Sequence, residues 1–193
     1  MTAVSRPLVI GCGVLRGELQ ALARARGEAL ELRLLGPAMH VDLSLLERAL
    51  VTQLEKVAPE PAKVFFGACH PRLDTHLTAH GARRTRGTNC LEMLLGPERY
   101  EAELARGAYF LLEPWARQWA PALRRTFGDR PELIRDVFRG AHSCVLAIRT
   151  PCSGDFTAQA EAAAALVGLP LEWADATLDH LGGVLDELLQ GAS

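Results

Sequence analysis

The five cysteines of this 193-residue chain are the residues whose type and placement most directly suggest chemistry. Cys12, Cys69, Cys90 and Cys152 each stand at or just beyond the carboxyl side of an apolar, strand-like run. Cys144 instead begins such a run, which predicts a core residue. Thiolates are preferred ligands of zinc and of iron–sulfur clusters. The four placements therefore predict a metal site, although the chain has no C-x-x-C pair.

Cysteines in these positions also lie close to predicted helix starts. Helix N-termini carry partial positive charge and unpaired N–H groups, which lower the pKa of a nearby thiol. We therefore expect lowered pKa values for the cysteines at the strand ends. The alternative is that each one is a small buried apolar side chain without chemistry.

Five further residues flank these cysteines or lie on the same set of loops. His70 follows Cys69, and His40 lies in the loop after the second predicted strand, so both are candidate ligands, or else solvated loop histidines. Asn89 precedes Cys90 and either orients a ligand or caps a helix. Trp115 follows a strand and either rims the site or packs in the core. Ser153 is a candidate cofactor-binding residue beside Cys152.

The elements that must position these residues alternate along the chain. Apolar runs predict strands over 8–13, 29–35, 64–69, 82–86, 109–112, 144–148 and 171–173, separated by segments with helical spacing. Alternation of this kind predicts an α/β fold of doubly wound, Rossmann-like three-layer type, with a mostly parallel sheet and helices on both faces. Ligands of such folds bind beyond the carboxyl ends of the strands, which is where the cysteines fall.

No linker or repeat divides the chain, so residues 1–193 are expected to form one domain, with 115–139 as a helical flap inside it. The formal net charge of −2 gives no support for a nucleic-acid surface. No apolar run reaches the roughly 20 residues needed to cross a bilayer, which predicts a cytoplasmic protein without membrane contact. A reducing compartment argues against a disulfide framework.

Five segments resemble the domain-of-unknown-function family 1638, in the same order along the chain: 10–15 (IGCGVL), 67–69 (GAC), 89–96 (NCLEMLLG), 109–115 (YFLLEPW) and 168–170 (GLP). Members of that family are uncharacterised, and several are encoded near corrinoid-dependent methyltransferase systems. The resemblance implies equivalent cysteines at Cys12, Cys69 and Cys90, and a link to one-carbon or corrinoid metabolism. The segment 70–72 departs from it, because the family more often has a turn containing Gly and Asn there.

These observations favour a metal-centre protein that holds zinc or an iron–sulfur cluster through Cys12, Cys69 and Cys90. Cys152, His70 or an external ligand would complete the coordination sphere, with a small molecule as ligand. One alternative is an accessory protein that docks onto a methyltransferase or a corrinoid protein. Others are a redox thiol protein and a plain ligand-binding domain. Whether the protein is an enzyme stays open on sequence alone.

Overall fold

Strands and helices alternate through the computed structural model, which describes residues 6–27, 30–37, 39, 42–57 and 62–191. The strands are β1 (Leu8–Cys12), β2 (Glu31–Leu35), β3 (Lys63–Phe65), β4 (Arg83–Arg84), β5 (Ala108–Leu112), β6 (Cys144–Arg149) and β7 (Leu171–Asp175). The helices are α1 (Arg16–Ala25), α2 (Leu43–Val57), α3 (Leu73–Ala79), α4 (Cys90–Leu95), α5 (Pro97–Ala105), α6 (Glu113–Ala116), α7 (Trp119–Phe127), α8 (Pro131–Ala141), α9 (Thr157–Val167) and α10 (Asp179–Gln190). None of these helices is long and apolar enough to cross a membrane.

The strands form two parallel sheets, in the orders β2-β1-β3-β4 and β5-β6-β7. Every strand pair is parallel, since a helical crossover separates consecutive strands. The predicted α/β class with a doubly wound arrangement is confirmed. The parallel strands are shared between two sheets instead of forming a single continuous one.

Strands β5 and β6 of the second sheet carry apolar clusters on both faces, which explains their nearly unbroken apolar sequences. Side chains of β5 and β6 alternate between two apolar clusters because successive residues of a strand point to opposite sides. Leu112, Leu146 and Ile148 pack with the core of the first sheet. Leu111 and Val145 pack in a second cluster beneath α7, α8 and α9.

Two predicted strands are shorter than expected, β3 and β4. Beyond Phe65 the chain leaves the sheet, because its polar groups bond to the segment after β4 instead of to a neighbouring strand. The N–H of Ala68 donates to the carbonyl of Thr88 at 2.8 Å. The hydroxyl of Thr85 donates to the carbonyl of Phe66, also at 2.8 Å. β4 lies at an edge of its sheet, as expected.

The predicted helical stretch 115–127 is divided into α6 and α7. Trp119 and Leu123 of α7 and Ile134 and Phe138 of α8 are buried in the second cluster. These helices therefore cover one face of the second sheet. The assignments of 115–139 as a flap and of the whole chain as one domain stay predictions.

Replacing Gly67 by Ala should destabilise the fold. A Cβ atom there would lie 2.5 Å from both the Cα of Asn89 and the carbonyl oxygen of Thr88, so the backbone would have to move. We expect a loss of about 1–3 kcal/mol in the free energy of unfolding, measured by urea denaturation.

Gly183→Ala is the matched control for this change. Gly183 lies within α10, and a Cβ atom there would meet nothing within 4 Å. This substitution should stabilise the protein by up to about 1 kcal/mol, because Gly costs conformational entropy inside a helix. Equal stability of the two variants would contradict the proposed close approach at Gly67.

Candidate functional site

Three cysteine thiols from three different loops come together at the carboxyl ends of the first sheet. Cys12 ends β1, Cys69 lies in the loop after β3, and Cys90 is the first residue of α4. The thiol of Cys12 interacts electrostatically with that of Cys69, and the thiol of Cys90 interacts with both. The three cysteines therefore lie close together, where the sequence placed them.

The pKa values of these thiols are raised, so the expectation of lowered values is wrong. Burial raises the pKa of Cys12 from 9.0 to about 11, and a hydrogen bond from the backbone of Val14 only partly offsets this. Burial likewise raises the pKa of Cys69. It raises the pKa of Cys90 well above its ordinary value, and the neighbouring thiols of Cys12 and Cys69 raise it further. The backbone N–H groups at the start of α4 lower the pKa of Cys90, but desolvation is the larger effect.

Asn89 holds the first turn of α4, which carries Cys90. Its side-chain oxygen accepts hydrogen bonds from the N–H groups of Leu91 at 2.9 Å and Glu92 at 3.0 Å. Its amide nitrogen donates to the hydroxyl of Tyr100 at 2.7 Å. The side chain expected to bind a cofactor is thus occupied as a helix cap and as a support for Tyr100.

Cys152 and Ser153 belong to a separate network between β6 and α1. The Thr150 hydroxyl donates to the buried carboxylate of Glu18 at 2.7 Å, and the Ser153 hydroxyl accepts from the N–H of Thr150 at 3.0 Å. Burial and the charge of Glu18 raise the pKa of Cys152. The electrostatic partners of Cys152 are Glu18 and Arg24, so the structure does not group it with the other three cysteines.

His70 is buried beside a carboxylate of α2. Its Nδ1 atom accepts from the N–H of Arg72 at 3.1 Å, and its Nε2 atom lies 4.0 Å from the Glu47 carboxylate. Glu47 also pairs with His76 and Arg72, and these contacts, led by the His76 hydrogen bond, lower the pKa of Glu47. The Nδ1 atom of His70 therefore already accepts a hydrogen bond, and its Nε2 atom lies near a carboxylate.

Glu47 is a site residue that sequence reasoning missed. Its only local signal is a capping-box spacing, whereas the cap at the start of α2 is Asp42, which accepts from the N–H of Leu45 at 3.0 Å. His40 lies outside the described residues. Cys144 is buried at the opposite end of β6, as expected.

Within the described part of the chain, no group of three or more His, Cys, Asp or Glu side chains is arranged to hold a metal ion. The three cysteine thiols are neighbours, but their side chains do not converge on one point. Cys12, Cys69 and Cys90 thus lie near one another, but they do not form a coordination site in this structure.

A cavity of about 350 Å³ adjoins the cysteines, and Cys90 forms part of its wall. Tyr100 of α5, Tyr109 of β5 and Trp115 of α6 line it as well. His142, which the sequence placed at the wrong end of the sheet, also lines it, because the cavity extends along β5 and not only beyond its carboxyl end. The prediction that Trp115 borders the site agrees with this geometry, whereas sequence reasoning missed both tyrosines.

Residues 34–185 match the model of the family described as "Protein of unknown function (DUF1638)". The chain belongs to this family. The matched region includes Cys69 and Cys90 and begins after Cys12. No curated protein and no solved structure matches the chain.

The raised pKa of Cys12 predicts that the metal-free protein loses stability as the pH rises. Between about pH 9 and pH 11 the folded protein holds a proton on Cys12 that the unfolded chain has released, so the free energy of unfolding falls over this range. The expected loss from Cys12 is on the order of 2–3 kcal/mol. Urea denaturation at a series of pH values measures it.

Cys12→Ala is the control, since it removes the titrating group. Its free energy of unfolding should fall less steeply between pH 9 and pH 11 than that of the unsubstituted protein. Identical slopes would show that Cys12 is not held protonated by the fold.

Proposed function

We propose that this protein holds zinc or an iron–sulfur cluster through Cys12, Cys69 and Cys90. The observation that supports this proposal is the closeness of the three cysteines, which come from separate parts of the chain: Cys69 raises the pKa of Cys12, and both of them raise the pKa of Cys90. Three soft donors at the carboxyl ends of neighbouring parallel strands are a suitable ligand set for either centre.

Metal binding requires the three side chains to turn toward a common point. Each cysteine has a single side-chain torsion with three staggered positions, and rotation about these torsions changes where the sulfurs lie. Binding also requires the thiols to lose their protons, which the positive charge of the metal promotes. A three-cysteine site leaves one coordination position open, as in catalytic zinc sites. Because Cys90 also lines the cavity, a ligand there would lie next to the metal.

The redox thiol alternative is less well supported. An attacking thiol is activated by a lowered pKa, whereas burial raises the pKa values of Cys12, Cys69 and Cys90. Exposed tryptophans at 115 and 119 would favour the docking alternative, but Trp119 is only 3% exposed. A role in one-carbon or corrinoid metabolism, with a methyltransferase or corrinoid protein as partner, stays a prediction from the family resemblance.

Substitution of each proposed ligand should remove the metal. Elemental analysis and a UV–visible spectrum of protein purified without oxygen test the proposal directly. Iron, acid-labile sulfide and brown colour identify a cluster, while a colourless protein with about one zinc identifies a zinc site. Cys12→Ser, Cys69→Ser and Cys90→Ser should each lose most of the bound metal.

Cys152→Ser and Cys144→Ser are the matched controls for these three variants. Cys152 interacts with Glu18 and Arg24, and Cys144 is buried at the far end of its strand, so both variants should keep their metal. Absence of metal from the unsubstituted protein, or equal metal content in all five variants, would refute the proposal.

Zinc added to metal-free protein should displace protons. The three thiols are protonated at pH 7, so binding at all three releases about three protons, and zinc affinity rises with pH. Isothermal titration calorimetry in buffers of different ionisation enthalpy counts the released protons. Cys69→Ser should bind zinc much more weakly than the unsubstituted protein under the same conditions, with correspondingly little proton release. Binding without proton release would show that the thiols are not the ligands.

A further inference from the structure

The cavity beside Cys90 contains both tyrosines of the chain. There are only two tyrosines among the 193 residues, and Tyr100 and Tyr109 each line this space of about 350 Å³. Phe110 and Trp115 add two further aromatic rings to its wall. The rings of Tyr100 and Phe110 are stacked, with centroids 5.3 Å apart and planes inclined by 22°. Flat aromatic walls of this kind are complementary to a planar molecule.

Each tyrosine hydroxyl accepts a hydrogen bond from a neighbouring side chain, which leaves its own proton available for donation. The Tyr100 hydroxyl accepts a hydrogen bond from the Asn89 amide at 2.7 Å, and the Tyr109 hydroxyl accepts from the Trp115 indole N–H at 3.2 Å. Among the described residues neither hydroxyl has an acceptor for its own proton. Burial raises the pKa of Tyr109, so this proton is retained at neutral pH. Two O–H groups are therefore free to donate to a ligand.

The lining of the cavity carries no side chain of Asp, Glu, Lys or Arg in the described part of the chain. In the metal-free protein an ion would lose part of its hydration there without meeting a carboxylate, ammonium or guanidinium group, which is unfavourable. An uncharged molecule with an acceptor atom would instead meet the two O–H donors. Apolar walls with a few directed polar groups are characteristic of small-molecule sites, and the volume falls in their usual range.

We propose that this cavity binds an uncharged, planar organic molecule that carries a hydrogen-bond acceptor, such as a carbonyl oxygen or an aromatic ring nitrogen. The acceptor bonds to the hydroxyl of Tyr100 or Tyr109, and the ring system packs against the aromatic walls. This inference goes beyond the proposed metal centre and does not require it. Cys90 lines the cavity whether or not it holds a metal, and only the presence of a metal next to the ligand depends on the proposed function.

Three probes of similar size separate the features of the cavity. Isoquinoline is planar, uncharged at pH 8 and has a ring nitrogen; naphthalene lacks the acceptor; and 2-naphthoate carries a negative charge. Titrations use the protein as purified and after chelator treatment, with metal content measured on both samples. Isoquinoline should bind to both samples. In the chelator-treated sample, 2-naphthoate should bind at least about 10-fold more weakly than isoquinoline.

Tyr100→Phe and Tyr109→Phe test the donors, because each removes a hydroxyl and keeps the ring. At least one of them should weaken isoquinoline binding by about 2- to 10-fold and leave naphthalene binding unchanged. A second measurement avoids substitution altogether. Tyrosine labelled with ¹³C at Cζ gives two NMR signals in this chain, and isoquinoline should shift at least one of them.

Unshifted tyrosine signals, or equal weakening of isoquinoline and naphthalene, would overturn the inference. Tight binding of 2-naphthoate to the chelator-treated, metal-free protein would overturn it as well. Failure of the metal proposal gives a different result, because the purified protein would then contain no metal but would still bind isoquinoline. If the protein contains metal but binds none of the three probes, the metal proposal stands and the proposal of a cavity ligand is refuted.

Discussion

The contact between two backbone segments, around Gly67 and around Thr88, is the constraint on which the candidate site depends. It requires the absence of a side chain at Gly67, because a Cβ atom would lie 2.5 Å from the neighbouring backbone. The hydrogen bond from the N–H of Ala68 to the carbonyl of Thr88 closes this contact. Since Cys69 and Cys90 follow these segments directly, the same contact fixes the distance between two of the three thiols. It also sets the position of Asn89.

Burial is the second factor that determines what the thiols can do. The low polarity around Cys12, Cys69 and Cys90 raises their pKa values, so three bare thiolates would be very costly there. A zinc ion bound to three thiolates leaves one net negative charge instead of three, and its own charge stabilises the deprotonated sulfurs. The same burial that disfavours a redox thiol therefore remains compatible with a metal-bound thiolate.

Much of this architecture is predictable from the sequence because buried parallel strands are apolar throughout. The runs that became β1, β5 and β6 are recognisable for that reason, and the carboxyl-end rule is the basis for predicting Cys12, Cys69 and Cys90 as neighbours. The exact extent of β3 and β4 is not local information, since it depends on hydrogen bonds between the segments around Phe66 and Thr85.

His70 and Cys152, two of the predicted ligands, have partners far away along the chain. His70 lies beside Glu47, and Cys152 beside Glu18, which is also bonded to Thr150 across 132 residues. No periodicity or spacing records such pairs. The cavity was missed for the same reason, because its walls come from separate elements, and the tyrosines of α5 and β5 have no common motif.

The thiol cluster and the cavity are connected through the adjacent residues Asn89 and Cys90. The oxygen of Asn89 caps the first turn of α4, whose N–H groups interact with the sulfur of Cys90 and lower its pKa against the effect of burial. The nitrogen of Asn89 donates to Tyr100, which directs the proton of that hydroxyl to other acceptors. One amide side chain thus holds the turn that carries Cys90 and fixes a donor in the cavity. Both hydrogen-bonding ends of this amide are in use, so its position links the geometry of the helix start to that of the Tyr100 hydroxyl.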